Sequence, residues 1–185
     1  MPFLKRCFLS AAILLSLTGI GSRANAAEGL QLQEQQIKAG LLYNFLKYTD
    51  WPPDSFANGN TIIICIFGDD PFGGNLNPIK GRTVNQREID VRQVRDVQGT
   101  TGCDLLFINQ DEKAQWPALR SALAGKNILT VSDFDSFATE GGMIEFGHRN
   151  DHVSATLNVN ALNRAGLRVE ERLLRLVTVV HGDQP

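Results

Sequence analysis

Two adjacent carboxylates, Asp69 and Asp70, follow TIIICIF, the apolar run at residues 61–67. Open α/β sheets bind ligands at the carboxyl ends of their strands. An acidic pair placed there could hold Mg²⁺, as in phosphoryl-accepting receiver domains. That chemistry also needs a phosphoryl-accepting Asp after a central strand and a Lys after a later one. CDLLFIN, at 103–109, ends in Asn109 instead, and Val131 is followed by Ser132 and Asp133 with no Lys in place. Asp is favoured at helix caps and in turns, and that is the role expected of Asp69 and Asp70.

His148 and His152, with Glu145 and Asp151 nearby, could be metal ligands. Four-residue spacing brings side chains together on a helix. GHRNDHV, at 147–153, reads as a hairpin tip, where the side chains need not converge. No metal is expected, and His181 stands apart in the terminal tail. GDDPFGGN, at 68–75, matches neither nucleotide-binding fingerprint. A G-x-S-x-G nucleophile elbow is absent. Cys65 lies within an apolar run, a poor setting for an activated thiolate. Polar residues do not converge as acid–base work requires. The sequence therefore favours a binding module over an enzyme, with no cofactor.

Two kinds of binding remain open. A small molecule could sit in a pocket at the strand carboxyl ends, near Asp69, Asp70 and Asp133. Alternatively, AGLRVEERLLRLV, at 165–177, reads as a helix with Leu167, Leu173, Leu174 and Val177 near one face. Arg164, Arg168 and Arg172 would then form a strip at four-residue spacing for an anion or an acidic partner. A solvated face with Glu170 and Glu171 as ion-pair partners explains the same residues.

The elements that would hold these residues follow from hydrophobic pattern. Residues 30–48 read as a helix, with Gly40 where two elements could approach closely. Asn58-Gly59-Asn60 is a turn, and the 61–67 run reads as a strand buried on both faces. Gly68-Asp69-Asp70-Pro71 ends that strand and could cap a short helix to Leu76. Residues 82–97 alternate as a strand. Residues 103–109 and 126–131 are two more buried strands, flanking a helix at 114–124. Residues 143–159 form an antiparallel hairpin introduced by Gly141-Gly142. Residues 160–180 close the chain as helix, broken near Gly166. Strands alternating with helices imply an α/β fold. The expected form is a three-layer sandwich whose central sheet is mostly parallel, with the antiparallel hairpin at its edge.

The chain has 185 residues. Residues 1–26 read as a cleaved signal peptide, with Lys5 and Arg6 as the positive region and residues 8–20 as an apolar stretch too short to span a bilayer. Ala24-Asn25-Ala26 is an A-x-A cleavage site. Residues 27–185 suit a single domain. Losing Lys5, Arg6 and Arg23 moves the net charge from −2 to about −5. That argues against a nucleic-acid surface, which needs a basic stripe. No later stretch is long and apolar enough to embed in a membrane. Cys7 leaves with the signal. Cys65 and Cys103 enter an oxidising compartment, where they are either bridged or buried as free thiols. A bridge closing a loop of about 39 residues would contribute roughly 4 kcal/mol by the chain-entropy model.

KAGLLYNFLKYTDWP, IIICIFGDDPFG, CDLLFIN and GGMIEF occur in that order, followed by LNVNALNRAGLRVEERLLRLV. Together, behind a signal peptide, they make the chain resemble the YfiR family of periplasmic regulators. The resemblance implies a small α/β protein of the periplasm that is not an enzyme. It implies a partner, the periplasmic sensor region of an inner-membrane diguanylate cyclase, which the protein binds and represses. Cyclic-di-GMP and biofilm formation would then stay low, and an outer-membrane-associated lipoprotein could sequester the repressor. In the family the best-known member has two disulfides. Cys65 and Cys103 match one pair, and the second pair has no counterpart here. One structural bridge is the simpler expectation.

The first helix carries more apolar residues than one stripe needs, and it ends on Trp51 before Pro52 and Pro53. Proline disfavours helix at the preceding residue. Tyr48 and Trp51 either anchor a partner or a second copy in a homodimer, as interface aromatics do, or cap the core of this domain.

Overall fold

The structure is a computed structural model describing residues 21–53, 55–56 and 59–182, with side chains from residue 29 onward. The positive and apolar regions of the expected signal peptide lie outside the described residues, as does Asn58 of the expected turn. The long helix α1 (Gly21–Lys47) leads into the short strand β1 (Thr49–Asp50). Strands β2 (Thr61–Phe67), β3 (Thr83–Val84), β4 (Arg87–Val94) and β5 (Leu105–Ile108) follow. Helix α2 (Trp116–Ala122) connects to β6 (Leu129–Ser132), and then come the paired β7 (Ile144–Arg149) and β8 (His152–Asn158). The chain ends through α3 (Val159–Arg164), β9 (Arg168–Val169), α4 (Glu171–Leu174) and β10 (Thr178–Val180).

One eight-stranded sheet has the order β10-β8-β7-β6-β5-β2-β4-β3, and β1 pairs with β9 in a separate ribbon. The pairs β10–β8, β7–β6, β6–β5, β5–β2 and β2–β4 are parallel, while β7–β8 and β3–β4 are antiparallel. The β7–β8 hairpin lies near one end of the sheet but is not its edge, because β10 pairs outside β8. Its tip, Asn150 and Asp151, has φ of 50° and 60°. Two successive positive φ values make the tight turn whose twist suits a hairpin.

Side-chain alternation splits the core into two layers of contact. Ile62, Ile64, Ile66, Leu105, Phe107, Leu129 and Val131 pack with Leu42, Phe45 and Leu46 of α1 and Ala161 and Leu162 of α3. Ile63, Cys65, Phe67, Leu106 and Ile108 pack on the other face with Trp116, Leu119, Phe134 and Phe137. The arrangement is the three-layer α/β sandwich. A continuous apolar run is what a strand covered on both faces requires.

Three local expectations are corrected. Gly40 is exposed, and a Cβ there would meet nothing within 4 Å, so it marks no close approach. Residues 71–81 form consecutive turns rather than a helix. The 160–180 helix is instead two short helices separated by a turn at Gly166, which has φ +68°, with β9 between them. A residue in the left-handed region ends a helix, and the chain that follows is captured as strand by β1.

Candidate functional site

The three aspartates of the expected ligand pocket each have a partner of their own. Asp69 pairs with Arg95 at 3.0 Å. Asp70 Oδ1 accepts from Phe72 N at 2.8 Å, an Asx turn that matches the turn role read from sequence. Asp133 pairs with Lys38 of α1. The backbone just after β2 is held by neighbouring side chains. Asn109 Nδ2 donates to Asp69 O at 2.7 Å, Gln93 Nε2 donates to Gly68 O at 2.6 Å, and a Cβ on Gly68 would fall 2.5 Å from Glu112 Cγ. Each of the three carboxylates is thus engaged by a different group of the protein.

His148 and His152 stand on neighbouring strands of the hairpin, where Arg149 faces His152 and His148 faces Val153. His148 Nε2 lies 3.3 Å from Glu34 Oε2. Among the described residues no group of three or more His, Cys, Asp or Glu is placed to hold a metal ion.

That Glu34 contact opens a polar network the sequence did not disclose. Lys38 is only 4% exposed. Its Nζ lies 2.8 Å from Glu34 Oε1 and 3.0 Å from Asp133 Oδ2, and 5.9 Å from the centre of the Phe146 ring. Burial pushes the Glu34 carboxyl up, but the hydrogen bond and charge of Lys38, and then those of His148, outweigh it and hold it below its ordinary value. Among the described residues, buried Asp133 Oδ1 and Gln35 Oε1 find no hydrogen-bond partner. The network clamps α1 onto the carboxyl end of β6. A lysine in an apolar helix reads as a solvated residue from sequence; only the tertiary fold carries it inside.

Cys65 of β2 and Cys103, just before β5, are joined by a disulfide, with Cα atoms 5.8 Å apart. Both cysteines are buried. The Arg92 guanidinium lies along the bridge. Its Nε is 3.3 Å from Cys65 Sγ and its Nη2 is 3.6 Å from Cys103 Sγ, and Nη2 also donates to Thr101 O. Next to the bridge, Asp104 is 3% exposed and its Oδ2 accepts from Ile63 N at 2.7 Å. Burial raises its carboxyl to about 6, against the opposing pull of the Ile63 hydrogen bond and of Arg87 and Arg92.

The expected partner-binding residues divide into two groups. Tyr48 and Trp51 flank β1, whose Asp50 faces Arg168 in the antiparallel ribbon with β9. Glu170 N donates to Tyr48 O at 2.9 Å, and α4, which carries Arg172, begins at the next residue. Tyr48 and Trp51 are half-buried, whereas Arg168 and Arg172 are exposed. Trp51 is also tied to the domain: its Nε1 donates to Asn127 O at 3.1 Å and its ring lies 5.8 Å from that of Phe56. Arg164 belongs elsewhere, at the end of α3. The three arginines share no helix face, because the helix that would align them is broken into α3, β9 and α4.

Arg164 lines a cleft of about 1030 Å³ between α2, the 139–143 segment and α3. Ile128, Thr130 and Met143 belong to its lining. It thus opens at the amino ends of β6 and β7, away from Asp69, Asp70 and Asp133.

The chain matches the YfiR/HmsC-like family, DUF4154, over residues 35–178, and it belongs to that family. No curated protein matches the sequence. A solved structure described as the ABC domain in complex with L-Trp from Streptococcus pneumonia is similar in fold, with a TM-score of 0.53 at 9% identity. The match covers 80% of this chain and 60% of that one, and at such identity it shows the fold alone. Membership in the family supports a role as a periplasmic regulator. No helix among the described residues is long and apolar enough to cross a membrane.

Proposed function

We propose that this protein is exported, processed after Ala26, and acts as a single domain of residues 27–185. It binds the ectodomain of an inner-membrane diguanylate cyclase and holds the enzyme inactive. Cyclic-di-GMP and biofilm formation stay low until an outer-membrane-associated lipoprotein sequesters the regulator. It works as a homodimer, by contact alone and without catalysis or a cofactor. It represses because it prefers the cyclase's inhibited conformation. A ligand shifts a conformational equilibrium only by its differential affinity for the two states.

The observation that supports this reading is the β1–β9 ribbon, which joins half-exposed Tyr48 and Trp51 to exposed Arg168. Aromatic residues and Arg are the side chains enriched at interface hot spots. The test is binding of the purified regulator to the cyclase ectodomain. Arg168→Glu and Tyr48→Ala are expected to weaken binding by about tenfold or more each, while the melting temperature of Arg168→Glu stays unchanged. Trp51→Ala is expected to lose binding together with some stability, since it also loses the Asn127 hydrogen bond. Unchanged affinity in both Arg168→Glu and Tyr48→Ala would remove this surface from the interface.

A further inference from the structure

The Gly141-Gly142-Met143 segment plays no part in the β1–β9 surface, yet its backbone is closely specified. Gly141 has φ +93°, and a Cβ on Gly142 would lie 2.3 Å from the Phe137 ring. Only glycine lets the chain take that path. The path sets Glu140 O on Trp116 Nε1 at 3.2 Å and on Arg120 Nη1 at 2.7 Å. One wall of the 1030 Å³ cleft is thereby fixed. The small side chains of Ala161 on α3 and of Ala165 just after it leave its opposite wall open.

The chemistry of the lining is uneven. Its floor is apolar, with Ile128 and Met143, both nearly buried. Its charged residues are Arg120, Arg164 and Glu140, and the Glu140 carboxylate lies 3.8 Å from Lys113 Nζ. Both arginines keep contacts within the domain. Each is nonetheless a permanent cation with five donors in a planar fork that matches a carboxylate. A largely apolar cleft of this size with a few polar groups in its lining is the form of a small-molecule site.

We propose that this cleft binds a small carboxylic acid with an apolar body, the carboxylate toward Arg164 and Arg120 and the body against Ile128 and Met143. The site is separate from the partner surface, so either reading can fail without the other.

Decanoate and indole-3-acetate serve as probes, titrated into the purified chain by calorimetry and by tryptophan fluorescence. At least one should bind saturably, one molecule per chain, and the corresponding alcohol should bind about tenfold more weakly. Arg164→Gln and Arg120→Gln should each weaken the acid by a similar factor. Ala124→Trp, an exposed change on the cleft lining, should block it. Thermal melts establish which variants are folded, and Arg164→Gln, at an exposed helix end, keeps the test valid if Arg120→Gln does not fold. The proposal is overturned if neither acid saturates by ~1 mM. It is also overturned if the alcohols bind as well as the acids, if inorganic phosphate at equal concentration abolishes binding of the acids, or if folded Arg164→Gln and Ala124→Trp bind like the parent chain.

Discussion

Replacing Lys38 by Met tests whether a buried charge clamps the first helix. Lys38 is 4% exposed and neutralises two carboxylates, Glu34 at 2.8 Å and Asp133 at 3.0 Å. Met keeps most of the stem's volume, so the cavity contribution is small, although the Nζ contact with the Phe146 ring is lost. What is lost is the compensation of Asp133, whose side chain is 11% exposed and whose Oδ1 already lacks a partner. Removing one member of a buried pair costs about 3–5 kcal/mol, mainly through the stranded charge. Glu34 keeps 28% of its side-chain exposure and its contact with His148, which places the expected loss at the lower end, about 3 kcal/mol. That is a large share of a stability of roughly 5–15 kcal/mol. Urea unfolding at neutral pH should show a lower midpoint with an unchanged slope.

The double variant Lys38→Met, Asp133→Leu is the control. With the stranded carboxylate gone it should recover at least half of the loss, a strongly non-additive cycle. Acid adds a second signature. The Glu34 carboxyl is held below its ordinary value of 4.5, so its contribution is present above that pH and is lost as the pH falls through the depressed value. This acid-sensitive step should shrink in Lys38→Met. A single-variant loss below ~1 kcal/mol, or a double variant as unstable as the sum of the singles, would refute the account.

Asp104 titrates with the opposite sign. Its carboxyl is raised from 3.8 to about 6, so the folded state holds the proton more tightly and stability falls as pH rises between those values. The cost of ionisation is about 3 kcal/mol, and Asp104→Asn, which still accepts from Ile63 N, should remove this slope from denaturation curves across that range. Reduction of Cys65–Cys103, or the double Ser variant, should lower stability by roughly 4 kcal/mol; thiols that react in the native, unreduced protein would contradict the bridge. Gly142→Ala should destabilise by ~1–3 kcal/mol through overpacking against Phe137, which is fully buried between Trp116 and Phe134; an unchanged melting curve would show that the ring can move.

Pattern reading worked where a residue's surroundings repeat along the chain. TIIICIF and CDLLFIN contain strands because alternate side chains feed two separate core layers, and an unbroken apolar run has no other use in a sheet. The turn role of Asp70 was legible because its hydrogen bond spans two residues. Residues 165–177 misled for the same local reason. AGLRVEERLLRLV has helical spacing, but β1 offers residues 168 and 169 a strand partner that no window of sequence contains. The arginine strip vanished with that helix, while Arg168 gained a place beside Tyr48 and Trp51.

By itself, then, the sequence determined the alternation of strand and helix, the central parallel strands and the family to which the chain belongs. Each follows from short-range periodicity or from motifs read in order. The tertiary structure alone decided which charges go inside and where space is left. Lys38 meets Asp133 across a separation of 95 residues. The cleft exists only where α2, α3 and a two-glycine turn fail to fill the end of the sheet. Burial and empty volume are properties of packed neighbours, and neighbours far apart in the chain leave no mark on local pattern.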